Sequence, residues 1–122
     1  MTTVKLSKNL QNPRGVYSIP VTPFHENGKL DLDSLRKCIE FCLEKGAHGI
    51  VMPVNASEVS TLTDEERTQV IKEGVKSVNG SVHFVAGVTG NSIEQVQESV
   101  KIVEDLGVDS IITMPSTKIA SA

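Results

Sequence analysis

Four consecutive residues, Asn55, Ala56, Ser57 and Glu58, form the stretch of this sequence best placed to do chemistry. They follow a short apolar run from Gly49 to Val54 and precede Thr63-Asp64-Glu65-Glu66, a Ser/Thr-x-x-Glu capping box that opens a helix. The run is too short for a helix and rich in β-branched residues, so it reads as a strand buried on both faces. A strand leading through a polar loop into a capped helix places that loop at the carboxyl end of a parallel strand, where α/β folds bind ligands. Glu58 has the side chain for general acid or base work. A loop carboxylate more often accepts backbone amides and shapes its turn, and that is the reading preferred here. Thr22, with Ser18, has a hydroxyl that can face a barrel mouth, but a Thr before a Pro at a strand end is more often a turn former.

Other reactive residue types lack the company that chemistry needs. His48 and His83 each open or precede an apolar strand, with no second ligand at a telling spacing, so no metal is expected. Cys38 and Cys42 sit four apart on one face of a helix with Leu35 and Ile39, which reads as core packing in a reducing compartment. Thr89-Gly90-Asn91-Ser92 at a helix start could hold an anion through backbone amides, but it has no Lys and few glycines, and capping is the preferred reading.

The elements that position these residues alternate. Gly15 to Thr22 reads as the first strand, with Pro20 removing one ladder hydrogen bond. Asp33 or Ser34 caps a helix carrying Leu32, Leu35, Cys38, Ile39, Cys42 and Leu43 at helical spacing, and Gly46 stops it. The second strand runs from His48 to Val54. The helix opened by Thr63 carries Val70, Ile71, Val75 and Val78 and ends at Asn79-Gly80. Val82 to Val88 is the third strand, and a helix with Ile93, Val96, Val100, Val103 and Leu106 follows, capped by Asn91 or Ser92 and stopped by Gly107. Ser110 to Met114 is the fourth strand, closed by Pro115. This β-α-β-α-β-α-β order implies an α/β fold with right-handed crossovers and a parallel sheet.

Two architectures share that order: a small doubly wound sheet, and the first half of a (β/α)8 barrel, which takes about 250 residues. The chain has 122. A doubly wound domain would cover its last strand with another helix, so a half-barrel of about four parallel strands and three helices is the expected form. It would occupy residues 15–115, between a polar tail, 1–14, and a short tail, 116–122. The inner strand face, including parts of Val51, Val85 and Ile112, would then be exposed between two unpaired edges, favouring association of copies.

Several separate motifs, in order, resemble the dihydrodipicolinate synthase and N-acetylneuraminate lyase family. They are Gly15 to Phe24 ending in VTPF, the Glu-Lys-Gly-Ala before the second strand, the spacing Glu58, Leu62-Thr63, Glu66-Arg67, and AGVTGNS after the third strand. The resemblance implies a (β/α)8 barrel whose members form a Schiff base between a lysine and pyruvate or a related 2-oxo acid, then make or break a carbon–carbon bond. It implies no separate cofactor, and it implies homo-oligomers. The family loop Gly-Thr/Ser-Thr-Gly-Glu holds the acid's carboxylate and relays a proton. The ungapped match here is Val54-Asn55-Ala56-Ser57-Glu58, so the resemblance makes Asn55, Ala56 and Ser57 the substrate-binding residues, with Asn55 and Ser57 as donors. Neither Asn55 nor Ala56 can take the relay role of a hydroxyl.

The fourth strand departs further. Where the family has Pro-Tyr-Tyr the chain reads Pro115-Ser116-Thr117, and Tyr17 is the only tyrosine. The family's Schiff-base lysine and second catalytic tyrosine belong to fifth and sixth strands, so no catalytic residue is assigned within this chain. Lys118 has no expected burial to lower its pKa. With 12 basic and 15 acidic residues and a net charge of −3, there is no electrostatic case for nucleic acid or an acidic membrane. No apolar run approaches the roughly 20 residues that span a bilayer, and the polar start lacks a signal-peptide core. A cytoplasmic location is the default expectation.

Overall fold

The computed structural model describes residues 11–115. Strand β1 (Tyr17–Ser18) is followed by α1 (Leu32–Glu44), β2 (Gly49–Met52), two single 3-10 turns (Asn55–Ser57 and Val59–Thr61), α2 (Asp64–Val78), β3 (His83–Gly87), α3 (Ile93–Leu106) and β4 (Ser110–Ile112). The expectations for most of the tails, including Ser116, Thr117 and Lys118, lie outside the described residues.

The four strands form one parallel sheet in the order β1-β2-β3-β4. A doubly wound sheet reverses direction at a switch point and carries helices on both faces; this one advances one strand at a time. Ile50, Met52, Phe84 and Ala86 alternate to one face, where Leu35 and Ile39 of α1, Val70, Ile71 and Val78 of α2 and Val103 of α3 join them in one buried cluster. Fully burying each such side chain contributes roughly 1.5–3 kcal/mol. The opposite face, carrying Gly49, Val51, His83, Val85 and Gly87, takes no part in that cluster. The arrangement is one wall of a barrel.

Three expectations need correction. The first strand shrinks to two residues, because Pro20 has no N–H to give the ladder and the segment beyond Ser18 finds other partners. The α1 cap is Asp31, ahead of Asp33 and Ser34: its Oδ1 accepts from the Ser34 amide at 3.0 Å and its Oδ2 from the Ser34 hydroxyl at 2.6 Å. Val51 and Val85 are buried at 9% exposure each, whereas Ile112 is 44% exposed as expected. Val51 and Val85 lie opposite one another on the two central strands, while Ile112 sits on the edge strand. The other helix ends fall where the residues put them. Thr63 and Glu66 form the reciprocal capping box, Asn79 ends α2 in the left-handed region, Ser92 caps α3 and Gly107 ends it.

The Ser34 hydroxyl and amide hold the Asp31 carboxyl below its ordinary value. A carboxyl depressed in the folded state stabilises above its unfolded pKa, about 3.9, and that contribution is lost as pH falls through the folded value. The difference in thermal midpoint between the parent chain and Asp31→Ala should therefore be present at about pH 5 and shrink on further acidification. A difference that does not change with pH would contradict the cap's ionic character.

Candidate functional site

At the carboxyl end of β2 the chain passes through a cis Met52–Pro53 peptide and turns twice before α2. The first turn is closed by the Ser57 amide on the Val54 carbonyl at 2.9 Å and the Glu58 amide on the Asn55 carbonyl at 2.9 Å. Glu58 then adopts a left-handed conformation, φ 59° and ψ 39°, which redirects the chain into the second turn. Its carbonyl accepts from both the Thr61 amide at 2.9 Å and the Thr61 hydroxyl at 2.7 Å. Glu58 does shape the loop, but through its backbone; its exposed carboxylate makes no hydrogen bond among the described residues.

Ser57 and Thr22 come together although 35 residues apart. The Ser57 hydroxyl donates to the Pro20 carbonyl at 2.8 Å, and the Thr22 hydroxyl donates to the Ser57 carbonyl at 2.6 Å. Ser57 is fully buried and Thr22 nearly so. The Ser57 hydroxyl proton is thus already used, and the turn-forming reading of Thr22 becomes a tie between two loops. Asn55 and Ala56 are exposed, with the Asn55 side-chain amide 3.7 Å from the Met114 sulfur beyond β4. Of the quartet, Asn55, Ala56 and Glu58 are exposed at the carboxyl end of the sheet and Ser57 is buried.

Gly87 lets the loop approach. A Cβ there would collide with the Pro53 carbonyl, so the cis turn rests directly on the end of β3. The remaining polar groups at this end serve structure. The Thr89 hydroxyl accepts from the Met114 amide at 2.9 Å, the Ser92 hydroxyl from the Gln95 amide, and the Gln95 carboxamide from the Asn91 amide. A groove of about 240 Å3 lies between α2 and α3, lined in part by Arg67, Thr68, Ile71, Val88 and Ile102; none of the quartet lines it.

At the opposite end of the inner face is a constellation that sequence reasoning missed. The Tyr17 hydroxyl lies 2.6 Å from His83 Nδ1, and His83 Nε2 lies 2.6 Å from the Ser110 hydroxyl. The chain of contacts crosses from β1 over β2 to β3 and β4, and Gly49 makes room for it, since a Cβ there would enter the Tyr17 ring. Burial and the neighbouring Asp109 carboxylate push the Tyr17 hydroxyl above its ordinary pKa, so it stays a neutral phenol. A Gly opposite a Tyr on adjacent strands was the only signal in the sequence, and it needs the register to be seen. His48 is elsewhere, its Nδ1 accepting from the Val16 amide at 3.0 Å. No group of three or more His, Cys, Asp or Glu that could hold a metal occurs among the described residues, and Cys38 and Cys42 are free thiols. No helix among the described residues is long and apolar enough to cross a membrane.

Singly wound order, an exposed turn after β2 and the motifs that carry the resemblance coincide with one family. The sequence matches the model described as the Dihydrodipicolinate synthetase family over residues 12–116. The chain belongs to that family. It is 39% identical over 99 residues to 4-hydroxy-tetrahydrodipicolinate synthase of Methanococcus maripaludis strain C5, covering 81% of this chain and 34% of that protein. It is 35% identical over 108 residues to a probable 5-dehydro-4-deoxyglucarate dehydratase 2 of Streptomyces avermitilis, covering 88% of this chain and 32% of that one. Among solved structures, the chloride-inhibited dihydrodipicolinate synthase of Acinetobacter baumannii complexed with pyruvate superposes with a TM-score of 0.81 at 36% identity, covering 84% of this chain and 35% of that one. The chain thus spans about a third of the length of the curated relatives it matches, as one part of a barrel.

Gly87→Ala should drive the Pro53 carbonyl off the end of β3 and cost about 1–3 kcal/mol or more, read as a lower denaturant midpoint with shifted amide resonances from Pro53 to Glu58. Unchanged stability would mean that the loop does not rest on β3.

Proposed function

We propose that these 122 residues supply the acid-binding part of a Schiff-base lyase or synthase acting on pyruvate or a related 2-oxo acid in the cytoplasm. The observation that carries this reading is the exposed Asn55–Ala56 turn at the carboxyl end of β2; the motif resemblance supports it by aligning this turn with the family's carboxylate-holding loop. Asn55 offers a side-chain amide to a carboxylate oxygen, and Ala56 leaves the approach open. The turn has no hydroxyl free to relay a proton, since the Ser57 hydroxyl is bound to Pro20. The family's reactive amine belongs to strands that follow the fourth, so the 122-residue polypeptide by itself would hold the acid without reacting with it.

A second reading, a non-catalytic half-barrel that binds a partner chain, draws on the edges. Ile19 and Val21 after β1, and Ile111, Ile112 and Met114 at β4, are exposed apolar residues on both unpaired sides of the sheet. Such edges seek strands, and a second copy would supply them as a homo-oligomer.

Incubation of the polypeptide with pyruvate and borohydride, followed by intact-mass measurement, should leave its mass unchanged. Pyruvate titration should meanwhile shift the Asn55 and Ala56 amide resonances saturably, with a Kd on the order of 1 mM. A reduced pyruvate adduct would overturn the non-reactive part of the proposal, and absence of any shift at roughly ten times that concentration would overturn the binding part. Light scattering on eluting size-exclusion fractions should show mass rising with concentration; an unchanging monomer would count against the partner-chain reading.

A further inference from the structure

Ser57 stands where a ligand cannot touch it, yet it governs the residues that a ligand can. We infer that Ser57 and Thr22 are positioning residues, a two-bond clamp that holds the Asn55–Ala56 turn in its outward orientation; for ligand binding, this rests on the acid-binding reading above. All three polar groups of Ser57 are committed. Its amide closes the turn on Val54 at 2.9 Å, its hydroxyl reaches Pro20 at 2.8 Å, and its carbonyl receives the Thr22 hydroxyl at 2.6 Å.

The two bonds that leave the turn end on the same segment, the chain just after β1, whose pairing with β2 stops at Ser18. Turn and segment therefore fix each other. Pro20, which cannot donate to a ladder, contributes its carbonyl, and Thr22 contributes the hydroxyl that a ladder does not need. Ser57 and Thr22 are at most 4% exposed, so water does not readily replace either bond. Asn55 and Ala56 precede Ser57 in the same single turn and have no comparable anchor of their own. Beyond the turn's closing bonds, Asn55 has only its long contact with the Met114 sulfur among the described residues. A rotation at Ser57 carries them with it.

Ser57→Ala and Thr22→Val each remove one hydroxyl with little change of shape. In either variant, amide hydrogen exchange at Ser57, Glu58 and Val59 should accelerate about tenfold, while Phe84 to Ala86 in β3 keep their protection. Because both bonds restrain one residue, the double variant should exchange scarcely faster than the more affected single one; independent structural roles would multiply. Pyruvate affinity should weaken several-fold in each variant, in step with the exchange rates. Loop exchange that is unchanged in both variants, or acceleration shared equally with β3, would overturn the clamp. Faster loop exchange in a polypeptide that binds no pyruvate would leave the clamp standing as a loop anchor and remove the acid-binding reading alone.

Discussion

Each right-handed crossover between neighbouring parallel strands returns the chain on the same side of the sheet, and here all three advance in one direction. The helices must then gather on one face. The side chains of β2 and β3 that alternate toward them, Ile50, Met52, Phe84 and Ala86, become the dry core, and those of the other parity are left without helices. Their composition answers that constraint. Glycines at 49 and 87 admit a tyrosine ring and a carbonyl, Val51 and Val85 shield one another, and the polar members are hydrogen-bonded across the strands. At the β4 edge, Ile112 of the same parity stays open.

The same winding decides where a ligand can be met. All strands point the same way, so the loops after β1, β2, β3 and β4 gather at one end, and each is held by a neighbour. The β1 exit is tied to the β2 turn through Thr22, Pro20 and Ser57; the β2 turn rests on Gly87; the Thr89 hydroxyl beyond β3 receives the amide of Met114 beyond β4. The residues left open, which the acid-binding proposal makes the ligand's contacts, are those remaining after these ties are made. Asn55 and Ala56 are exposed because Ser57, next in sequence, is not.

Much of this was legible from residues alone, and the parts that were not share a cause. Helix ends are local: Thr63 with Glu66, Ser92, Asn79 and Gly107 carry their own signals within four residues, and all act as those signals say. The α1 cap lies two or three residues ahead of the expected positions because Asp31, Asp33 and Ser34 all have capping side chains, and only the Asp31 to Ser34 bonds separate them. Ser57 looked like a ligand donor since its partner, Pro20, is 37 residues away. Tyr17, His83 and Ser110 could not be grouped without the register that sets Tyr17 opposite Gly49 and Gly49 opposite His83. The burial of Val51 and Val85 likewise depends on their being paired on central strands. Long-range pairing, which no short window of sequence contains, separates the right readings from the wrong ones.

The measurement that bears most directly on the one-sided sheet is a methyl and aromatic NOE map of the folded chain. Ile50, Phe84 and Ala86 should show contacts to Leu35, Ile39, Val70 or Val103 across the helix-facing core, while Val51 and Val85 show contacts to each other and none to a helix residue. Strong NOEs from Val51 or Val85 to residues of any of the three helices would mean that helices cover both faces, and the barrel-wall account would be wrong.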